Sequence, residues 1–324
     1  MKLPLQTRQR LGLGTASLSH LYHSVSETQA LQTIDKALEY GIRYFDTAPR
    51  YGQGQSEQRL GLALKGVPRS DYWLSSKVGW AGTATITKHD FSRQAILHGI
   101  SQSFERLGVD YLDTVYLHDP DEHFEQALNE ALPALLELQA AGMVKQIGVG
   151  MNQWQMLNRF AQNNKFECFL LAGRYTLLDQ SGLYFLDQCH AKHTKVFLGG
   201  VFNSGVLATG SQNAAKFNYQ NASNHILERV RQLEDIGTQF NVPLKAAALQ
   251  FCLAHPAASV LMLGASSVVE LESSLAALAV NIPKAYWQAL RNTAWLEPNA
   301  PIPIEQLVGG GKQFLQTAKA VSAR

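Results

Sequence analysis

Eight short apolar runs, each followed by a segment whose apolar residues recur at helical spacing, leave this chain few folds to choose from. The runs lie at 11–14, 42–46, 73–78, 112–118, 144–149, 168–172, 195–201 and 260–263. Of the intervening segments, 91–107 places Ile96, Ile100 and Phe104 on one face, and 131–141, 154–160 and 183–190 repeat the pattern. Strands alternating with helices predict a parallel sheet, because each crossover helix returns the chain to the same end of the sheet. Eight of them predict closure into a (β/α)8 TIM barrel. Local punctuation agrees: Ser26 and Gln29 have the spacing of a capping box, and Gly41 ends the helical pattern they open. No shift of composition marks a boundary. The expectation is a single barrel domain over 1–324, with a core over 1–282 and a C-terminal helix and tail over 283–324.

The bulk properties fit such a barrel and exclude several other classes. Of 324 residues, 46% are hydrophobic and 17% charged, which is too apolar for a disordered chain. The net charge is +2 and the basic residues are scattered, so no nucleic-acid or membrane surface is predicted. The partner is expected to be a small molecule, and the protein a monomer or weak homo-oligomer. Cys168, Cys189 and Cys252 lie in apolar or helical runs without a CxxC spacing, and read as reduced core residues. The first twenty residues lack the apolar core of a signal peptide, and no run is long enough to span a bilayer, so a soluble, cytoplasmic protein is expected. Two places break the rhythm. The connection 202–243 is long and rich in Asn, Gln, Ser and Gly, and is expected to close over the ligand; the role of the tail after PNAPIP is not readable.

Chemistry enters at the strand ends. In GIRYFDTAPRYGQGQSEQRLG, 41–61, Asp46 ends a strand and Tyr51 sits on the loop before the next helix. The next two strands end in Ser75-Ser76-Lys77 and in His118-Asp119-Pro120. Taken singly, Asp46 reads equally as a cap, Lys77 as a solvated strand end and His118 as a core histidine. Delivered by consecutive parallel strands, the four form a convergent polar cluster, as barrel enzymes assemble their sites. A phenol titrates near 10, so a Tyr that exchanges a proton near neutrality needs its anion stabilised. Lys77 is expected to lower the Tyr51 pKa, Asp46 to hold Lys77, and a neutral His118 to orient the substrate oxygen. This chemistry requires no metal.

These motifs resemble the aldo-keto reductases: FDTAxxYG with Asp46 and Tyr51, SSK with Lys77 and LH with His118 match that family's catalytic tetrad. The resemblance continues through GMVKQIGVG, FNSGVLATG and LMLGASSVVELESSLAAL, over nearly the whole chain. Within the family, GLGTASLSHLY, LHDPD, IGVGMNQWQMLNRF and LKAAALQFCLAHP are similar to the branch of D-threo-aldose 1-dehydrogenases, or L-fucose dehydrogenases, and pyridoxal 4-dehydrogenases. The resemblance implies a nicotinamide dinucleotide, NAD or NADP, bound without a Gly-x-Gly-x-x-Gly fingerprint. Its pyrophosphate is expected on the backbone of Asn203, Ser204, Gly205 and Leu207, and its adenosine near Gly264, Ala265, Ser266, Ser267, Glu270 and Ser274. Gly14, Thr15 and Asp46 are expected beside the cofactor, with Asn152, joined by Met151, at the carboxamide. Substrate contacts are implied for Tyr22, Tyr51, Trp80, His118, Asp119 and Arg174.

The chain also departs from the family. Ala172 stands where many relatives carry Gln, and Gly199-Gly200 where an aromatic-Ser pair is common, so Phe202 or Tyr175 is either a substitute stacking aromatic or barrel packing. Arg174 reads as a ligand contact or as the partner of an acid such as Asp119. Where NADP-using relatives offer Lys or Arg to the 2'-phosphate, this chain has Ser267 and Glu270, which favours NAD; the alternative has Glu270 facing solvent and a base from elsewhere meeting the phosphate. The reaction implied is oxidation of a free aldose at C1 to a lactone. Pyridoxal oxidation, general aldehyde or ketone reduction and, outside catalysis, a nucleotide-sensing binding subunit are the other readings.

Overall fold

In a computed structural model, the described residues are 3–19, 24–82, 88–212 and 215–303. Counting barrel strands only, β1 (Leu11–Gly14), β2 (Tyr44–Asp46), β3 (Trp73–Val78), β4 (Leu112–His118), β5 (Val144–Met151), β6 (Cys168–Ala172), β7 (Lys195–Gly199) and β8 (Ala258–Gly264) are all parallel. They close in the order β1-β8-β7-β6-β5-β4-β3-β2. The eightfold alternation in the sequence is thus the barrel it predicts. Boundaries move for local reasons. β2 starts at Tyr44 rather than 42 because the Ile42 amide donates to Ala37 O and closes the preceding helix. β7 stops at Gly199 because Gly200 turns the chain at φ +60, where a Cβ would lie 3.0 Å from the Gly173 amide nitrogen. The capping box is half made: Gln29 N donates to Ser26 Oγ, but the Gln29 side chain reaches Ser266 O, 2.9 Å away, and ties the first barrel helix to the loop after β8.

Strand residues alternate between two cores. Phe45, Leu74, Val115, Leu117, Ile147, Val149, Phe169 and Leu171 face outward and join the large apolar layer under the helices. Tyr44, Tyr116, Cys168, Leu170, Phe197, Val260 and Met262 face inward and fill the barrel. Both faces being buried explains why the strands read as continuous apolar runs. The three cysteines are buried and unpaired with one another.

The same alternation fixes what rings the mouth at the carboxyl ends of the strands. Gly14 pairs in register with Asp46 and with Gly264, His118 with Gly150, and Ala172 with Gly199. Going round the barrel, three neighbours contribute Asp46, Lys77 and His118; the other five contribute Gly150, Ala172, Gly199, Gly264 and Gly14. One side of the mouth is chemically dressed and the other is nearly bare.

The long connection after β7 is not featureless. It holds the short helix Val206–Thr209, a hairpin pairing Lys216–Phe217 with Gln220–Asn221, and the helix Asn224–Phe240. The C-terminal helix Lys284–Arg291 buries Tyr286, Trp287 and Leu290. The tail beyond 303 lies outside the described residues. Among those residues, no helix is long and apolar enough to cross a membrane.

Candidate active site

Three of the four tetrad candidates are placed by strand parity, and the fourth by a tight loop. After Asp46 the chain turns through Gly52, Gln53 and Gly54, all at positive φ, before the helix Gln55–Leu64. At Gly54 a Cβ would lie 2.6 Å from the Arg106 side chain, so only glycine allows the loop to close this tightly. Arg106 is held in turn by the fully buried Glu57, whose other carboxylate oxygen accepts from Ser76 Oγ at 2.6 Å. The helix that follows Tyr51 is thereby bolted to the strand that carries Lys77. A hydroxyl relay locks the other side: Thr47 Oγ1 donates to Ser56 Oγ, Ser56 to Thr15 Oγ1 and Thr15 to Asp46 O.

Within this frame Lys77 Nζ lies 2.6 Å from Asp46 Oδ2 and 2.8 Å from Thr47 O, while Asp46 Oδ1 accepts from Ser75 Oγ at 2.7 Å. Lys77 Nζ is 4.8 Å from the centroid of the Tyr51 ring. The His118 ring stands edge-on to Tyr51, centroids 6.0 Å apart. The four side chains come together as the sequence predicts.

Their electrostatics are only partly as expected. Burial, with Lys77, Arg50 and His89 nearby, pushes His118 well below its usual range, so it is neutral at physiological pH. Its buried Nδ1 has no hydrogen-bond partner among the described residues. The Tyr51 phenol, by contrast, is pushed well above its ordinary value, chiefly by burial and then by the Asp46 charge. The expected net lowering by Lys77 does not occur: its ammonium is committed to Asp46 and Thr47 O, and desolvation of the phenolate dominates.

The remaining substrate candidates separate. Asp119, at φ +49, pairs with Arg50 at 3.1 Å, and burial raises its pKa despite that partner. Arg174 therefore does not serve Asp119; it donates to Asn218 Oδ1 at 2.9 Å and faces Asp179 at 3.5 Å. Trp80 is half-buried beside β3 in an isolated bridge to His89. Tyr22 lies outside the described residues. Arg50 at this mouth was not among the sequence candidates; its one signal is adjacency to Tyr51.

On the cofactor side, the bare strand ends leave room. A Cβ at Gly14, Gly199 or Gly264 would meet nothing closer than 3.5 Å, so each glycine keeps a side chain's worth of space open at the mouth. Such bare strand ends let a ligand approach the backbone closely, as a dinucleotide bound there would need to. Asn152 Nδ2 donates to Ala172 O at 2.7 Å, on the same rim. Tyr175 is no stacking aromatic: it is 2% exposed, packed on Phe251 and His255 outside the barrel, because Gly173 turns the chain at φ +69. Met151 likewise faces outward into the core and cannot reach a carboxamide at the mouth. Phe202 is half-buried with Lys245 Nζ 5.9 Å from its ring.

The expected phosphate cradle is largely self-satisfied. The amides of Asn203, Gly205 and Leu207 donate to Gly200 O, Phe202 O and Phe202 O; those of Ser204 and Val206 take no part in these turn bonds. The Asn203 side chain is buried between Thr176 and Gly173 O. Beyond β8, Gly264 is exposed, Ala265 is buried, and Ser267 caps the helix Val268–Leu278 by accepting from Glu270 N. Glu270 is exposed, and its Oε2 also accepts from Ser266 N at 2.8 Å, while Ser274 Oγ donates to Glu270 O. Lys245, overlooked in the sequence, donates to Ser273 Oγ on this same helix.

A phenol seated on an ammonium–carboxylate pair, facing strand ends kept bare for a dinucleotide, suits proton exchange coupled to hydride transfer and places the chain among nicotinamide-dependent barrel oxidoreductases. Residues 10–294 match the aldo/keto reductase family, and the chain belongs to it. It is 35% identical to pyridoxal 4-dehydrogenase of Microbacterium luteolum, over 87% of this chain and 93% of that one. It is 34% identical to D-threo-aldose 1-dehydrogenase of a Pseudomonas species, over 86% and 92%. Among solved structures, an aldo-keto reductase of Bacillus halodurans in its holo form superposes with a TM-score of 0.73 at 26% identity, covering 89% of this chain and 94% of the other.

Proposed function

We propose that the protein oxidises the C1 hydroxyl of a free aldose in its ring form, of the L-fucose, D-arabinose or L-galactose type, to the lactone. The observation that carries this reading is the 34% identity with D-threo-aldose 1-dehydrogenase across most of both chains. Tyr51, as phenolate, takes the C1 hydroxyl proton; the C1–H bond breaks, and its electron pair leaves with the hydrogen as hydride. The nicotinamide, when bound, supplies the hydride acceptor. His118, neutral, holds the C1 oxygen toward Tyr51, and Lys77 with Asp46 fixes the floor under the phenol ring. Pyridoxal is the second reading, favoured by the 35% identity with pyridoxal 4-dehydrogenase: its hemiacetal ring presents the same lactol carbon. Steady-state assays with L-fucose, pyridoxal and a simple aldehyde, each with both dinucleotides, test the proposal. Reduction of the aldehyde without oxidation of either lactol would sink it.

Two outcomes follow from the electrostatics. Because the Tyr51 phenol is held above its ordinary value, only a small fraction is phenolate at neutrality, and the oxidation rate is expected to rise with pH by up to about tenfold per unit. His118, displaced downward, adds no acidic limb above its usual range. A kcat/KM profile that is flat from neutral to alkaline pH would contradict the Tyr51 assignment, and a limb near the usual histidine range would contradict the His118 one.

The dinucleotide is proposed to be NAD. A 2'-phosphate at the start of the helix Val268–Leu278 would meet the carboxylate that Glu270 holds against Ser266 N, whereas a 2'-hydroxyl donates to it. We expect kcat/KM to favour NAD by about tenfold or more, with Glu270→Gln narrowing the gap. A preference for NADP that Glu270→Gln leaves intact and Lys245→Met abolishes would overturn the assignment.

A further inference from the structure

The carboxylate of Asp119 lies between two possible partners. Asp119 follows His118 at the end of β4, and its amide donates to Gly150 O at 3.1 Å, which pins the backbone from which the side chain extends. Its Oδ2 is 3.1 Å from Arg50 Nη1 and 3.8 Å from His118 Nε2. The first distance is a charge-assisted hydrogen bond, and the second is too long for one. A displacement of about 1 Å would turn the second into a bond, so Arg50 decides which neighbour the carboxylate serves.

For His118 the difference matters. Its Nδ1 is buried without a hydrogen-bond partner among the described residues, so Nε2 is the nitrogen that a substrate can meet. A carboxylate bonded to Nε2 would occupy that nitrogen and favour the protonated ring. Among the described residues nothing else stands in for Arg50. Lys77 on β3 acts on both groups only at a distance, its ammonium being committed to Asp46 and Thr47 O. Asp121, which accepts from Gln153 Nε2 at 3.0 Å, repels Asp119 rather than pairing with it. His89, beyond β3 and itself lowered by burial, and Tyr51, after β2, face the imidazole uncharged at neutrality, and β5 presents Gly150.

We propose that Arg50 is a positioning residue for the reaction: it holds the Asp119 carboxylate off His118 and so leaves Nε2 to the substrate oxygen. The kinetic consequence rests on the lactol reading above, whereas the contact itself belongs to the free protein. Burial and nearby cations set His118 low, and Arg50 keeps an adjacent anion from undoing that.

The test uses Arg50→Met, which keeps an unbranched side chain and removes the guanidinium. The imidazole carbon NMR signal of His118, identified by its loss in His118→Asn, is expected to titrate about one pH unit or more higher in Arg50→Met than in the unaltered protein. The kcat/KM for lactol oxidation, which otherwise rises by up to about tenfold per pH unit through Tyr51, is expected to gain a further factor of about ten per unit below the new midpoint. Arg50→Lys, or Asp119→Asn added to Arg50→Met, should return both most of the way, which a general loosening of the loop would not do. An unmoved His118 midpoint in Arg50→Met, or a shift that Asp119→Asn leaves in full, overturns the proposal while leaving the lactol reading standing. Absence of lactol oxidation by the unaltered protein overturns that reading, and the NMR comparison, which needs no substrate, still decides the role of Arg50.

Discussion

Replacing Tyr51 by Phe is expected to lower kcat for lactol oxidation by about a thousandfold, within the range that a positioned proton-transfer group supplies. The ring keeps its place above Lys77 Nζ and edge-on to His118, since neither contact uses the hydroxyl. Cofactor affinity and thermal stability are therefore expected to change little. This separation makes the experiment informative: a fall in kcat with unchanged Kd for NAD assigns proton transfer to the phenol, whereas retained turnover removes Tyr51 from the mechanism. The residual rate should also lose its alkaline rise, because the group responsible for it is gone.

Lys77→Met is expected to be worse for the protein as a whole. Its side chain is 2% exposed and that of Asp46 5%, with 2.6 Å between Nζ and Oδ2. Removing the ammonium strands a buried carboxylate, and breaking a buried pair from one side typically costs about 3–5 kcal/mol. A marked drop in Tm should accompany a kcat loss of about a hundredfold or more, as the phenolate of Tyr51 then forms beside an uncompensated Asp46. Pairing the change with Asp46→Asn removes the stranded charge and should recover much of the stability without the activity. Stability unaffected by Lys77→Met alone would show that Asp46 finds another partner. Combined with Tyr51→Phe, the kinetic losses should fall well short of adding, because the residues act as a unit.

Sequence pattern read the dressed half of the mouth well and the bare half poorly, for a physical reason. Asp46, Lys77 and His118 lie on strands, where a period of two turns position into direction. Beyond the strand ends that rule lapses. The family resemblance offered Met151 as a cofactor neighbour and left Tyr175 open between stacking and packing, yet Tyr175 is swung outward by the turn at Gly173, and Met151 has the outward parity of β5. Asn203 was expected to offer its backbone to a pyrophosphate, but its amide and side chain are consumed by the local turn. The hairpin pairing Lys216–Phe217 with Gln220–Asn221 was invisible because it lacks the Asn-Gly turn that would have announced it. The Lys77 effect on Tyr51 was misjudged because residue types reveal a charge but not how completely a neighbour has already used it.

The pairing of β1 with β8 brings Leu11 beside Leu261 and Gly14 beside Gly264. Every tetrad candidate lies within the first 118 residues, and Asp46 is on β2, hydrogen-bonded directly to β1. During synthesis these residues leave the ribosome long before the strand that completes the cylinder. Until then the first strand is an unclosed edge, and the ends of a loop some 250 residues long must meet before that edge is covered. Of the pairings in the cylinder, this one joins the residues farthest apart in sequence and so carries the largest loop-closure cost.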